Sequence, residues 1–239
     1  MDAMRELVAV SAAFERDLAD ADPTGPLADA DWTVSDLPAC LGEVYRWAAR
    51  CIIEGVRPPR TSVPEIASSP LDWYREFRRV LLDTLDSSDP DATCYTFSRS
   101  DTSVRFWHRR QLHETVVHLW DLRSAIDSAA PAPAEASAEV CADGIDEFLG
   151  VFVGRSGIEA RPDLGGVLLL EATDADRSWA LGPDWALLPA RPRPDAALTA
   201  TAADLIVAVW NRRTAAPAGA VTSSGDGRVV ERFRRAPVR

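Results

Sequence analysis

The stretch Arg109 to Asp121, RRQLHETVVHLWD, constrains this chain more than any other. At about 100° per residue, Glu114 and His118 fall one turn apart on one helical face, with Arg110, Gln111 and Asp121 beside them. Leu112, Val116, Leu119 and Trp120 fall on the far side, so the helix has an apolar surface to pack with. A Glu-x-x-x-His pair on one face is how a helical bundle offers two ligands to one metal ion, and a third must then come from another helix. The same pair also suits an ordinary i,i+4 polar contact on a solvated face.

The helical pattern continues on either side. Met4, Leu7, Val8, Phe14 and Leu18 predict a first helix to about Ala19, followed by an Asp-, Pro- and Gly-rich loop over Asp20 to Trp32. Thr33 or Ser35 can cap a second helix with Cys40, Val44, Trp47 and Cys51 on its inward face. A loop over Gly55 to Pro64 leads to Ser69-Pro70, a cap and first-turn proline, and to a third helix with Leu71, Tyr74, Phe77, Leu81 and Leu85. The fourth helix runs from about Ser103 to Ala129, before a break at Pro131-Ala132-Pro133-Ala134, and a further helix extends to about Val153.

The character then changes. Val167 to Leu170, Ser178 to Leu181 and Trp185 to Leu188 are short apolar runs between Asp, Gly and Pro, which predict strands. Ala202 to Arg213 reads as a helix capped by Thr201, with Gly- and Ser-rich turns beyond. The expected fold is an N-terminal helical bundle over residues 1–155 and a small C-terminal α+β domain over residues 156–239, the boundary falling between roughly Val153 and Val167.

A formal charge of −11 excludes a basic, phosphate-neutralising surface, so nucleic acid is not an expected partner. All 26 basic residues are arginine, a bias typical of GC-rich bacterial genomes. The N-terminal residues carry acids and no long apolar run, so a cytoplasmic protein with no membrane partner is expected. Cys40, Cys51, Cys94 and Cys141 are scattered without a C-x-x-C pair and are expected as thiols.

His108, His113 and His118 are the chain's three histidines. Steps of five residues turn each about 140° from the last, so they cannot converge on one ion. Cys40, in the first turns of the second helix and on its inward stripe, is the best remaining third ligand. A small core residue is the bland reading for the same cysteine. Asp121 can orient His118 or pair with Arg123. His113 points away from Glu114, and His108, Cys51, Cys94 and Cys141 have no assigned role.

Three stretches together resemble the mycothiol-dependent maleylpyruvate isomerase family, of the DinB-like superfamily: WTVSDLPACLG from Trp32, HETVVHLWD from His113 and LIVAVWNRR from Leu205. The resemblance implies a four-helix DinB-like bundle holding a divalent metal, usually zinc, and a sterol-carrier-like C-terminal domain. It places the metal ligands at Cys40, Glu114 and His118, with cysteine where the family has histidine. It places a catalytic arginine at Arg212, or at Arg213 by a slip in register.

A Cys/Glu/His set would put two anionic ligands on the ion and make it a gentler Lewis acid. Alternatively the metal is lost and Cys40 is a pocket thiol in its own right. The implied function is a mycothiol-using enzyme: the thiol adds to a small electrophilic or unsaturated substrate, which then isomerises or remains as a conjugate. The rival is a non-catalytic protein that binds a small molecule in a degenerate site without metal.

Overall fold

A computed structural model describes residues 2–27, 32–59, 69–127, 135–153, 162–189, 192–212 and 220–236. The proline break at 131–134 and Arg213 lie outside these residues. The chain divides into two compact units, Met1–Glu135 and Ala136–Arg239.

The first unit holds four helices: α1 (Ala3–Asp20), α2 (Asp36–Glu54), α3 (Pro70–Ser87) and α4 (Val104–Ile126). Their starts follow from local chemistry. Asp2 accepts a hydrogen bond from the Arg5 amide, and Ser69 accepts one from Asp72 ahead of a first-turn proline. At α2 the side chain of Ser35 makes no cap bond. The amide and hydroxyl of Thr33 both donate instead to Asp36 Oδ2, at 2.8 and 2.9 Å.

Helix α1 lies against α4, and α2 against α3 and α4. Leu7, Val10 and Phe14 of α1, Leu37, Leu41 and Tyr45 of α2, Tyr74 and Leu81 of α3, and Leu112, Val116 and Leu119 of α4 are fully buried. Polar bonds thread this apolar interior. The Tyr74 hydroxyl donates to Ser11 O at 2.9 Å, and Arg78 Nε donates to Ser11 Oγ at 2.8 Å. Thr115 Oγ1 donates to Gln111 O at 2.6 Å, so the Tyr45 hydroxyl, 2.6 Å away, is the donor to Thr115. Burial pushes the Tyr45 hydroxyl up to about 12, which keeps it a donor at any ordinary pH.

The second unit begins with α5 (Ala138–Glu147), which runs into a π-helical turn over Phe148–Phe152. A mixed sheet follows: β1 (Leu168–Ala172), β2 (Ser178–Leu181), β3 (Ala196–Ala200), then α6 (Ala202–Val209), β4 (Thr222–Gly225) and α7 (Gly227–Arg235). The strand order is β2-β1-β3-β4, with β1 and β3 parallel and both outer pairs antiparallel. Helix α5 packs on α6, so the contacts group it with the sheet, whereas the sequence reading drew the boundary after it. Phe148 and Phe152 both meet the Trp210 ring edge-on, with centroids 5.1 and 4.7 Å away.

Two strand expectations hold and one is corrected. Residues 185–188 form no strand: Trp185 has φ 69°, and only Leu187 bridges to Leu181. A bulky residue in the left-handed region turns the chain out of extended pairing. The parallel partner of β1 is instead the alanine-rich Ala196–Ala200, whose burial alternates along the strand. Helix α6 ends at Val209, because Asn211 adopts φ 63°.

Gly42 sets how closely α2 approaches α3, since a Cβ there would lie 2.6 Å from Cδ1 of the buried Trp73 ring. Gly42→Ala is expected to lower the unfolding free energy by about 1–2 kcal/mol in denaturant titration, overpacking exceeding the gain in helix propensity. Arg123 of α4 binds Glu135 through two 2.7 Å bonds and Asp17 of α1 through a third. These bonds to Arg123 hold the Glu135 carboxyl below its usual value. A lowered folded-state pKa gives stability that is present above the unfolded value, roughly 4 to 5, and is lost as pH falls through the folded one. Glu135→Gln is therefore expected to lower the melting temperature at pH 7 and to flatten its decline on acidification.

Candidate active site

Helix α4 differs in one respect from a two-sided surface helix: its polar row also faces inward. Arg110, Gln111 and His118 are exposed by only 4, 1 and 7%, and His113 is fully buried. A helix buried on nearly all sides must satisfy its polar groups within the protein.

Much of the row does so within itself. The Arg110 guanidinium is ion-paired with the Glu114 carboxylate one turn on. Glu114 Oε1 lies 3.4 Å from His118 Nε2, and Asp121 Oδ2 lies 3.1 Å from His118 Nδ1. Arg110, Glu114, His118 and Asp121 thus form a continuous charged row along one helix. Arg123 is committed to Asp17 and Glu135, which leaves Asp121 turned to the imidazole. On the tautomer with the proton at Nδ1, His118 donates to Asp121 and its Nε2 lone pair is available to accept a proton.

Two contacts set the register of α2 against α4. Tyr45 meets Thr115, and the Trp47 ring meets the edge of Trp107 with centroids 5.4 Å apart. Later residues of α2 meet earlier residues of α4, so the helices run antiparallel. Seven residues back from Trp47, about 10 Å along the axis, is Cys40; seven residues on from Trp107 is Glu114. Cys40 is therefore level with the charged row, and it is half-buried.

The implied metal site does not follow from this arrangement. Among the described residues no three His, Cys, Asp or Glu side chains form a group able to hold a metal ion, and Cys40, Glu114 and His118 are all described. Glu114 Oε2 is paired with the Arg110 guanidinium, while Oε1 is the oxygen that faces His118. As arranged, Arg110, Glu114, His118 and Asp121 form an ion-paired row along which a proton can be held.

Arg212 lies in the second unit, just past α6, where Nη1 donates to Trp210 O at 3.0 Å. Burial pushes the Cys51 thiol up to about 12 and also raises Cys94, so both are inert thiols. His108 is held below the usual histidine range by burial and by Arg105 nearby, and stays neutral. The sequence reading put Arg110 on the polar stripe without a role; its i,i+4 spacing to Glu114 was the available signal.

A helical bundle with a buried charged helix, joined to a small α+β unit, is the class that this fold and site define. Residues 4–123 match the mycothiol maleylpyruvate isomerase N-terminal domain, and residues 139–232 match the C-terminal domain of the same family. The chain belongs to the mycothiol maleylpyruvate isomerase family of enzymes. A crystal structure of a mycothiol-dependent maleylpyruvate isomerase superposes with a TM-score of 0.63 at 14% identity, covering 93% of this chain and 92% of that one. A histidine-to-alanine mutant of such an isomerase superposes with 0.62 at the same identity and coverage. At that identity the likeness is one of fold. No curated protein matches the sequence.

The two roles of Glu114 are separable. Glu114 is an ion-pair partner of the buried Arg110, and Glu114→Ala is expected to cost about 3 kcal/mol in denaturant titrations of chelator-treated protein. A pure ligand role predicts little stability change once the chelator is present.

Proposed function

We propose that this chain uses a low-molecular-weight thiol, mycothiol, on a small electrophilic or unsaturated carboxylate, with His118 as the base that activates the thiol. The observation that carries this reading is the imidazole held between Asp121 and Glu114, in the interior of a bundle whose family is named for mycothiol chemistry. The thiol S–H proton passes to His118 Nε2. The Asp121 carboxylate, at Nδ1, orients the ring and stabilises the imidazolium that forms. Glu114, neutralised by Arg110, faces the newly protonated nitrogen.

The thiolate then adds to the electrophilic carbon and forms a C–S bond, and the displaced π electrons move onto the conjugated carbonyl. Rotation about the resulting single bond, followed by C–S cleavage, returns the thiolate and the other geometric isomer. Protonation of the adduct by His118 gives an S-conjugate instead. Neither path changes the oxidation state or needs another reactant. Arg212 suits a substrate carboxylate by its chemistry. Cys40, level with the base, is a pocket thiol in its own right, and cysteine in place of the family's histidine favours a specialised thiol transferase as much as an isomerase.

Ligation of a zinc ion by Cys40, Glu114 and His118 is the second reading, and the family resemblance favours it. On that reading Glu114 would offer Oε1, which faces His118, while Oε2 stays with Arg110. Protein purified without a tag is expected to hold transition metal far below one equivalent by plasma mass spectrometry; a stoichiometric metal would establish the second reading. Mycothiol is expected to bind in calorimetry, and thiol addition to maleylpyruvate or a related unsaturated acid is expected to follow. His118→Ala should lower kcat by about a hundredfold or more, and Asp121→Asn should lower kcat with the thiol KM retained. Absence of mycothiol binding at millimolar concentration would overturn the proposal.

A further inference from the structure

Gln111 is 1% exposed, yet neither Oε1 nor Nε2 of its side chain has a hydrogen-bond partner among the described residues. A primary amide carries two donors and an oxygen with two lone pairs, and leaving such a group buried and unpaired costs about 1–3 kcal/mol. The position would accept an apolar residue without that cost. Its backbone is already satisfied, with Gln111 O accepting from Thr115. The side chain is the unexplained part.

A second orphan lies close along the same helices. The Trp47 indole N–H is buried and likewise lacks a partner among the described residues. Trp47 packs edge-on against Trp107, one turn before Gln111, and its ring also meets Tyr95 and Phe97, with centroids 6.1 and 6.4 Å away. The Trp107 indole in the same cluster is satisfied, donating to Tyr95 O at 2.8 Å. Other buried side-chain atoms, Trp73 Nε1 and Ser124 Oγ among them, also lack hydrogen-bond partners among the described residues; Gln111 is set apart because both of its polar side-chain atoms do, and Trp47 packs on Trp107 one turn before it.

We propose that the Gln111 carboxamide and the Trp47 indole N–H are a recognition subsite for the non-reacting part of the thiol cosubstrate, one turn along α4 from Glu114 and two from His118. The assignment rests on the thiol-using function above. The bound group is neutral and carries both a donor and an acceptor, an amide or a hydroxyl. Gln111 offers both kinds of partner without charge, Trp47 adds a donor, and aromatic faces line one side. A carboxylate is disfavoured there, because the adjacent row carries Glu114 and Asp121 and its Arg110 is committed to Glu114. Mycothiol, a thiol that carries amide and hydroxyl groups, has this chemistry, and the spacing leaves its sulfur toward His118.

The test is calorimetric titration of mycothiol into wild-type, Gln111→Met and Trp47→Phe proteins, with the melting temperature of each measured without ligand. Methionine keeps the shape of glutamine and removes its hydrogen bonds; phenylalanine removes the indole donor. Gln111→Met is expected to melt at the same temperature or higher and to bind mycothiol about tenfold more weakly, and Trp47→Phe to weaken binding severalfold. In turnover, the thiol KM should rise while kcat changes little. Wild-type affinity in both variants, with or without a fall in melting temperature, overturns the subsite and leaves the thiol function standing. If the wild-type protein binds no mycothiol, both fall together.

Discussion

Burying α4 is the constraint on which the first unit depends. Helices α1 and α2 pack against it, and its apolar residues Leu112, Val116, Leu119 and Trp120 lie in the core. A helix buried this fully cannot leave charges unanswered, because an ion moved out of water loses far more solvation than a single contact returns. Arg110, Glu114, His118 and Asp121 meet that demand along the helix itself, each facing the next at three- or four-residue spacing. The charged row is thus a condition of folding as well as a reactive surface.

That double role shapes the chemistry available. A carboxylate bound to arginine is a poor metal ligand, whereas a histidine held by aspartate at one nitrogen is an oriented base. Asp17 of α1 and Glu135 occupy Arg123, near Asp121 in sequence, and Asp121 meets the imidazole. Partners far along the chain therefore decide which of two local pairings Asp121 makes. The aromatic cluster around Trp47 and Trp107 sets the register that brings Cys40 level with the row.

In the second unit, the parallel pairing of β1 with β3 joins segments on either side of β2, and the π-helical turn aims two phenylalanines at Trp210. The alanine-rich β3 and the wholly exposed Thr222–Gly225 edge strand carry little β propensity, so pairing with neighbours creates them. Helix α7 contributes three apolar residues, Val229, Val230 and Phe233, in a short arginine-rich segment; too few turns are present for periodicity to show.

The sequence by itself determined the four bundle helices, the caps at Ser69 of α3 and Thr201 of α6, two of the sheet strands and the polar stripe of α4. These depend on spacing within one element, which a 3.6- or 2-residue period records directly. It also placed Glu114, His118 and Asp121 on one face. Only the tertiary structure decided that this face turns inward, that Arg110 takes the Glu114 carboxylate, and that the Gln111 carboxamide and the Trp47 indole N–H are buried with no hydrogen-bond partner among the described residues. The physical reason is that burial belongs to the packed unit. Whether a polar residue meets water, a counter-ion or nothing is settled by helices tens of residues away, and no local period reports it.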